Sequence, residues 1–364
     1  MFYNNNSQYC QYWQSIFINM LLQEHGGFKS MGASRAWGLQ EHGGVRGELP
    51  FPPGVRGEAR FPPAVPPIFN NIFKNIIMSF AVIGNGFVGK ATQILAENNP
   101  NIKMMIYDID PQKCQPLGTR LEDLRGCDII FICVPTPMDK NGRNHLGIVE
   151  SVVADLKKVV DLSKTHLVIR STVLVGTSDR LGCYFMPEFL TERNWREDFR
   201  TCSDWLFGLL GVSKEQDEDF SKKIMNIWGL AHENGNIMSN RIHFMENKEA
   251  EMTKYFRNTF LAMKVSFCNE IYDYCKNRGV NYEVVRRMSR LDERIGASHM
   301  MVPGNDGHRG FGGTCFPKDT SALWNDFKDN GVESYILKAA IERNNKLDRP
   351  EMDWCEDKGR AVVE

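Results

Sequence analysis

The chain has 364 residues, 42% of them hydrophobic and 24% charged, with 44 Lys+Arg against 45 Asp+Glu and a formal net charge of −1. A balance this even gives no basic field for nucleic acid, and no window reaches the roughly 18 to 20 apolar residues of a membrane span. Ten cysteines at irregular spacing, with no CxxC pair, argue against a zinc site and for a reduced, cytoplasmic protein.

Residues 1–77 stand apart. "LQEHGG" occurs at 22–27 and again at 39–44, "VRGE" at 45–48 and 55–58, and "FPP" at 51–53 and 61–63. No sustained helical or strand period runs through them, so they read as a poorly packed extension. "WQSIFINMLL" (13–22) is apolar but lacks the basic flank of a secretory signal. The compact part is expected to begin at Met78.

"SFAVIG" (79–84) is a short β-rich run, "GNGFVG" (84–89) follows, and "KATQILAEN" reads as a helix. This is G-x-G-x-x-G in the strand–turn–helix context that gives the pattern its meaning. Gly84 permits the turn, Gly86 admits a pyrophosphate to the backbone, and Gly89 lets helix and strand pack closely. A second strand, "KMMIYD" (103–108), places Asp108 nineteen positions after Gly89. A carboxylate there accepts from the ribose hydroxyls of NAD and repels the extra phosphate of NADP; Lys113 nearby pulls the other way.

The alternation continues through "CDIIFICVPTP" (127–137), the helical "GIVESVVADLKKVVD" (147–161) and "HLVIRST" (166–172). Strands are predicted within "CYFMPEFL" (183–190), "DWLFGLLG" (204–211) and "RIHFME" (241–246), and a helix opened by Ser213 over 213–231. Such units imply a parallel sheet covered by helices on both faces. Ligands then sit at the carboxyl ends of the strands, where Thr136, Thr172 and Glu188 fall.

From Asn247 to Arg278 there is no glycine or proline, and apolar residues at 252, 256, 260, 263, 267, 271 and 274 form a helical stripe. A rod of this length joins domains or dimerises. Lys254 and Asn258 share one of its faces, with Asn269 near the same azimuth; by residue type alone Lys254 reads as a solvated surface lysine. Glycines at 304, 307, 310, 312 and 313 then lead to "TCFPKD" (314–319) and the predicted helix "DTSALWNDFKD" (319–329). A cysteine at a helix start, with Lys318 beside it, is expected to have its thiolate favoured. Asp319 lies one helical turn on, a pairing suited to covalent catalysis with later attack by water.

"VIGNGFVG", "VPTP", "STVLVGT", "PEFLTE", "EAEMTKYFRNTFLAMKVSFCNEI", "DERIG" and "GFGGTCFPKD" occur in that order between about 79 and 345. Together they resemble the UDP-glucose/GDP-mannose dehydrogenase family. The resemblance implies an α/β, Rossmann-like NAD-binding domain over 78–246, an all-helical central dimerisation domain with the long helix and cysteine loop over 247–345, and a tail over 346–364. It implies two successive NAD-dependent oxidations of a nucleotide-sugar C6 alcohol, UDP-glucose to UDP-glucuronate, through a cysteine thiohemiacetal and thioester. Motif positions make Cys315 the nucleophile, Lys254 and Asn258 its oxyanion partners, and Asp319 and Glu188 the assisting carboxylates. Thr172 then works with a water and the cofactor. The cofactor would touch Gly84, Asn85, Gly86, Phe87, Val88, Gly89, Asp108, Lys113, Val134, Pro135, Thr136, Ser171, Thr172, Glu192 and Lys318. The sugar nucleotide would meet Glu188, Phe189, Leu190, Lys254, Asn258, Phe311 and Gly312, with Arg294 reaching a neighbouring subunit's substrate in a homodimer.

Three departures accompany the match. Asp108 and Asp128 are twenty positions apart, where the family has a longer excursion, so a strand–helix piece is expected to be missing. Met186 precedes PEFL where the family commonly has asparagine. The family's third domain, which grips the nucleotide, has no counterpart before Glu364, and 347–364 is expected to be its first strand cut short. The motifs do not separate UDP-glucose from GDP-mannose or a UDP-N-acetylhexosamine as substrate, and a degenerate NAD-binding assembly protein is the alternative from another class.

Overall fold

A computed structural model describes residues 77–363. The expectations for the N-terminal extension and its repeats lie outside the described residues. Seven strands form one sheet: β1 (Met78–Ile83), β2 (Ile102–Tyr107), β3 (Ile129–Ile132), β4 (His166–Ile169), β5 (Tyr184–Phe185), β6 (Trp205–Leu209) and β7 (Ile242–Glu246), in the order β2-β1-β3-β4-β5-β6-β7. β1 to β5 are parallel, with Ala81 beside Met105 and Ile130, and Ile132 beside Ile169.

The sheet is not parallel throughout: Phe185 of β5 pairs antiparallel with Gly208 of β6, and β7 follows β6 in parallel. The β5–β6 connection carries only the short helix α4 (Trp195–Arg200), and no full crossover helix returns the chain to the starting end of the sheet. The Asp108–Asp128 connection holds two 3-10 turns, Pro111–Lys113 and Leu121–Leu124, and no further strand. Among the described residues β2 is therefore an edge, bridged on its outer side only where Ile106 meets Gln115.

Period-two alternation divides each strand between two cores. Ala81, Ile83, Ile130, Ile132, Leu167 and Ile169 pack against Val149, Val153 and Leu156 of α2 (Gly147–Val159). The opposite face is aromatic. Phe80 meets Phe131, which meets Trp228 of α5 (Lys214–Glu233), and Trp228 also meets Trp205 and Phe207 edge-on. Each such side chain contributes about 1.5 to 3 kcal/mol by leaving water, so the strand ends that carry loops stand on a rigid base.

β7 runs directly into α6 (Asn247–Arg278), opened by a reciprocal Glu246/Glu249 capping box and closed by Gly279 at φ 68°. The helical part adds α7 (Tyr282–Ser289), α8 (Phe316–Asp329), α9 (Tyr335–Arg343) and a π-helical turn at Asn344–Asp348. The apolar stripe read from the sequence of α6 is divided: Met252, Met263 and Ile271 pack against the helical cores, while Phe256, Phe260, Phe267 and Tyr274 are 62%, 52%, 63% and 63% exposed. The buried face carries Glu251, Lys254, Tyr255, Asn258, Thr259, Ser266 and Asn269. Among the described residues no helix is long and apolar enough to cross a membrane.

Candidate active site

β1 has β2 on one side and β3 on the other, so the loops after β1 and β3 part at their carboxyl ends and leave a crevice. Gly84 sits at φ 91°, and a Cβ there would lie 2.6 Å from the carbonyl oxygen of Cys133. A Cβ on Gly89, in α1 (Phe87–Gln93), would lie 2.0 Å from the Gly84 oxygen. Gly86 has nothing within 4 Å of its would-be Cβ. The outer two glycines thus close the turn, and the middle one borders open space at the helix start. Asp108 is fixed at the crevice rim, accepting from the Asn85 amide at 2.7 Å and the Asp110 amide at 2.9 Å. Asn85 also donates to the Lys113 carbonyl and accepts from Gln93. The Lys113 ammonium itself faces Asp110 at 3.4 Å.

The other walls come from strand ends. Ser171 donates to the Val134 carbonyl at 2.6 Å, Thr136 is buried, and Pro135 is exposed. Asn144 donates both to the Thr172 carbonyl, at 3.2 Å, and to the Tyr255 hydroxyl, at 2.9 Å. Glu251 accepts from the amides of Gly176 and Ser178 at 2.6 and 2.8 Å. These contacts tie the β4 loop to the long helix. A fixed carboxylate, an open glycine face and a rigid floor suit a dinucleotide.

The long helix supplies the opposite wall. Lys254 is 3% exposed, so residue type misled the solvated reading. Its Nζ donates to the Glu188 carbonyl and lies 3.3 Å from Glu188 Oε2. Burial works against its charge most strongly, but Glu188, Cys315 and Asp319 together raise its pKa above the ordinary lysine value. Two of the three ammonium protons are directed at Glu188, which leaves one for another oxygen. Glu188 in turn accepts from the Leu190 amide, while Phe189 lies under the Arg257 guanidinium at 3.6 Å.

Asn258, one turn on, donates to Asp319 Oδ2 at 2.6 Å, and Lys318 donates to Asp319 Oδ1 at 2.6 Å. The Asp319 amide bonds the Cys315 carbonyl at 2.8 Å, so the helix has already begun: Cys315 is the N-cap of α8. This half-buried thiol does not have the favoured thiolate that its helix-start position suggested. Desolvation raises its pKa, Asp319 and Glu188 reinforce that, and Lys254 and Lys318 oppose it without prevailing.

Phe311 is buried and Gly312 packs against Arg349. Two predicted residues lie apart in this chain. Arg294 is 89% exposed at its side chain and forks onto Asp292. Glu192 is exposed and pairs with Arg360 at 2.6 Å. Among the described residues no His/Cys/Asp/Glu group is placed to hold a metal. Sequence reasoning missed Asn144, Tyr255 and Glu251. Glu251 falls three positions before Lys254 and was within reach of helical spacing, but nothing in the sequence marks Asn144.

The family profile described as the NAD binding domain of the UDP-glucose/GDP-mannose dehydrogenase family matches residues 117–228, and that of the central domain matches 248–346. A UDP-glucose 6-dehydrogenase from Pseudomonas aeruginosa is 31% identical over 264 residues, covering 67% of this chain and 54% of its own. One from Rickettsia typhi is 31% identical over 310 residues, covering 74% and 67%. The chain spans about half the length of several curated relatives that it matches. The fold is similar to the solved UDP-glucose dehydrogenase of Pyrobaculum islandicum, with TM-score 0.61, 26% identity and 74% of this chain and 68% of that one covered.

Proposed function

The chain belongs to the UDP-glucose/GDP-mannose dehydrogenase family, and on that premise we propose that it oxidises the C6 alcohol of UDP-glucose to the carboxylate, using NAD. The observation that carries this reading is the convergence of Cys315, Lys254, Asn258, Asp319 and Glu188, from three separate stretches of chain, on one polar cluster. NAD would be held by the Gly84–Gly89 turn, Asp108 and the β3 and β4 loops, where it takes up the hydrides that the oxidation of an alcohol to an acid releases.

The residues divide the remaining work. Cys315 as thiolate adds to the C6 aldehyde, the carbonyl electron pair moves to oxygen, and a thiohemiacetal holds the half-oxidised sugar in place. The free proton of Lys254 and the second amide hydrogen of Asn258 meet that oxyanion. At the thioester stage water adds to carbon and the Cys315 thiolate leaves. Glu188 assists the water, and Asp319, with no exposed surface, orients Asn258 and Lys318. One tethered carbon explains two oxidations without release of an aldehyde.

The protein acts as a homodimer through the outer face of α6, which brings Arg294 to the neighbouring subunit's sugar nucleotide. All nine cysteines among the described residues are free thiols, which supports a reducing, cytoplasmic setting. The test is an NADH assay of the full chain with UDP-glucose, GDP-mannose and UDP-N-acetylhexosamines. Two NADH per UDP-glucose is the expected result. Preference for another sugar would move the substrate within the family, and no turnover with any of them would overturn the enzymatic reading in favour of an NAD-binding assembly role.

A further inference from the structure

One side chain holds both backbone groups of Phe311 in the glycine loop that delivers Cys315. Asn344, the first residue of the π-helical turn, has no exposed surface. Its Oδ1 accepts the Phe311 N–H at 2.7 Å and its Nδ2 donates to the Phe311 carbonyl at 3.0 Å. Both backbone groups of Phe311 are thus paired by a single amide, as an adjacent strand would pair them. The fit admits no extra atom. A Cβ on Gly310, itself at φ 68°, would lie 2.4 Å from Asn344 Oδ1, and one on Gly312 would lie 2.3 Å from the Arg349 guanidinium carbon.

The surroundings hold the clamp. Arg309 bonds Asp273 and Asp348, each at 2.8 Å, and Arg343 bonds Asp273 at 2.6 Å. Arg349, 3% exposed, reaches Asp306 in the loop and Asp353 beyond it, both at 2.6 Å. A π-helical turn is rare and often marks a functional site; here it brings Asn344 onto the loop and Asp348 onto Arg309. Only Gly312, Gly313 and Thr314 separate the clamped Phe311 from Cys315, and two glycines alone would let the thiol wander.

We propose that Asn344 is a positioning residue for the reaction: by fixing both backbone groups of Phe311 it sets where the Cys315 thiol stands relative to Lys254 and Asn258. The inference rests on the reading of Cys315 as nucleophile, and it is tested by a readout that needs no sugar.

Asn344→Ala, Gly310→Ala and the double variant are made in the full chain. Iodoacetamide labelling of Cys315 is followed by peptide mass spectrometry, with buried Cys268 and Cys275 as internal references, beside Tm, kcat and both KM values. In Asn344→Ala, labelling of Cys315 rises severalfold relative to the two references. The kcat falls roughly tenfold to a hundredfold, the scale of a small misplacement, while KM for NAD stays unchanged. Because the two residues act on one contact, the double variant is no worse than the worse single. Asn344→Asp, which keeps the acceptor for the Phe311 N–H, gives a milder effect and stands in if the alanine variant does not fold. Labelling of Cys315 that merely tracks Cys268 and Cys275, an unchanged kcat, or additive losses would each overturn the proposal. A wild-type protein without turnover overturns the activity alone, since the labelling ratio still reports on Asn344.

Discussion

Cys315 sits where burial opposes its own ionisation. Burial holds the proton on, two carboxylates reinforce that, and two lysines pull the other way. The sign follows: the thiolate fraction near neutrality is below that of an ordinary cysteine, and labelling by iodoacetamide should climb with pH to a midpoint above the usual value of about 8.5. A midpoint at or below that value would contradict the balance described. Cys315→Ser should stall after the first oxidation or before hydrolysis, giving fewer than two NADH per sugar, and full turnover in that variant would remove Cys315 from the nucleophile's place. The cysteine was legible because a glycine loop before it and Lys318 and Asp319 after it are local in the chain. The burial of Lys254 was not. It depends on Glu188, sixty-six positions away, and a charge on a helix otherwise reads as solvated.

At the scale of elements, the turn after β1 is the most constrained piece. A methyl on Gly89 would meet the Gly84 carbonyl oxygen, a backbone atom, at 2.0 Å and the Val82 side chain at 3.2 Å, so α1 must shift. Gly89→Ala should raise KM for NAD by tenfold or more, about 1.4 kcal/mol or more of lost binding, and lower Tm by several degrees. NAD affinity equal to wild type by calorimetry would show that the close approach is not needed. This element was readable because three glycines at fixed spacing follow a β-rich run. The reversal at β6 was not, because alternation of side chains identifies a strand and says nothing of its direction. Which face of α6 points outward was not readable for a related reason. Periodicity locates an apolar stripe, but the buried stripe of this helix is the one that carries the chemistry.

For the whole molecule, the outward stripe is the feature that a monomer leaves unexplained. The Phe256 and Phe260 rings lie parallel 6.1 Å apart, and Phe267, Tyr274, Met288 and Leu291 are also largely exposed. Soluble monomers rarely keep so many large apolar groups in water. Sedimentation should find a homodimer at micromolar concentration, and Phe260→Glu with Phe267→Glu should yield a folded monomer, of lower activity if the proposed reach of Arg294 into a neighbouring site holds. A monomeric wild type would refute this. The open side of β2 works at the same scale. Among the described residues the sheet stops at β2, whose outer row of amide and carbonyl groups is bridged only where Ile106 meets Gln115, with Lys103 the one charged side chain along the strand. That row is a seam: a foreign extended peptide could be stitched onto it, which makes the β2 flank the place to graft a recognition strand and also the place where crowded copies would first zip together.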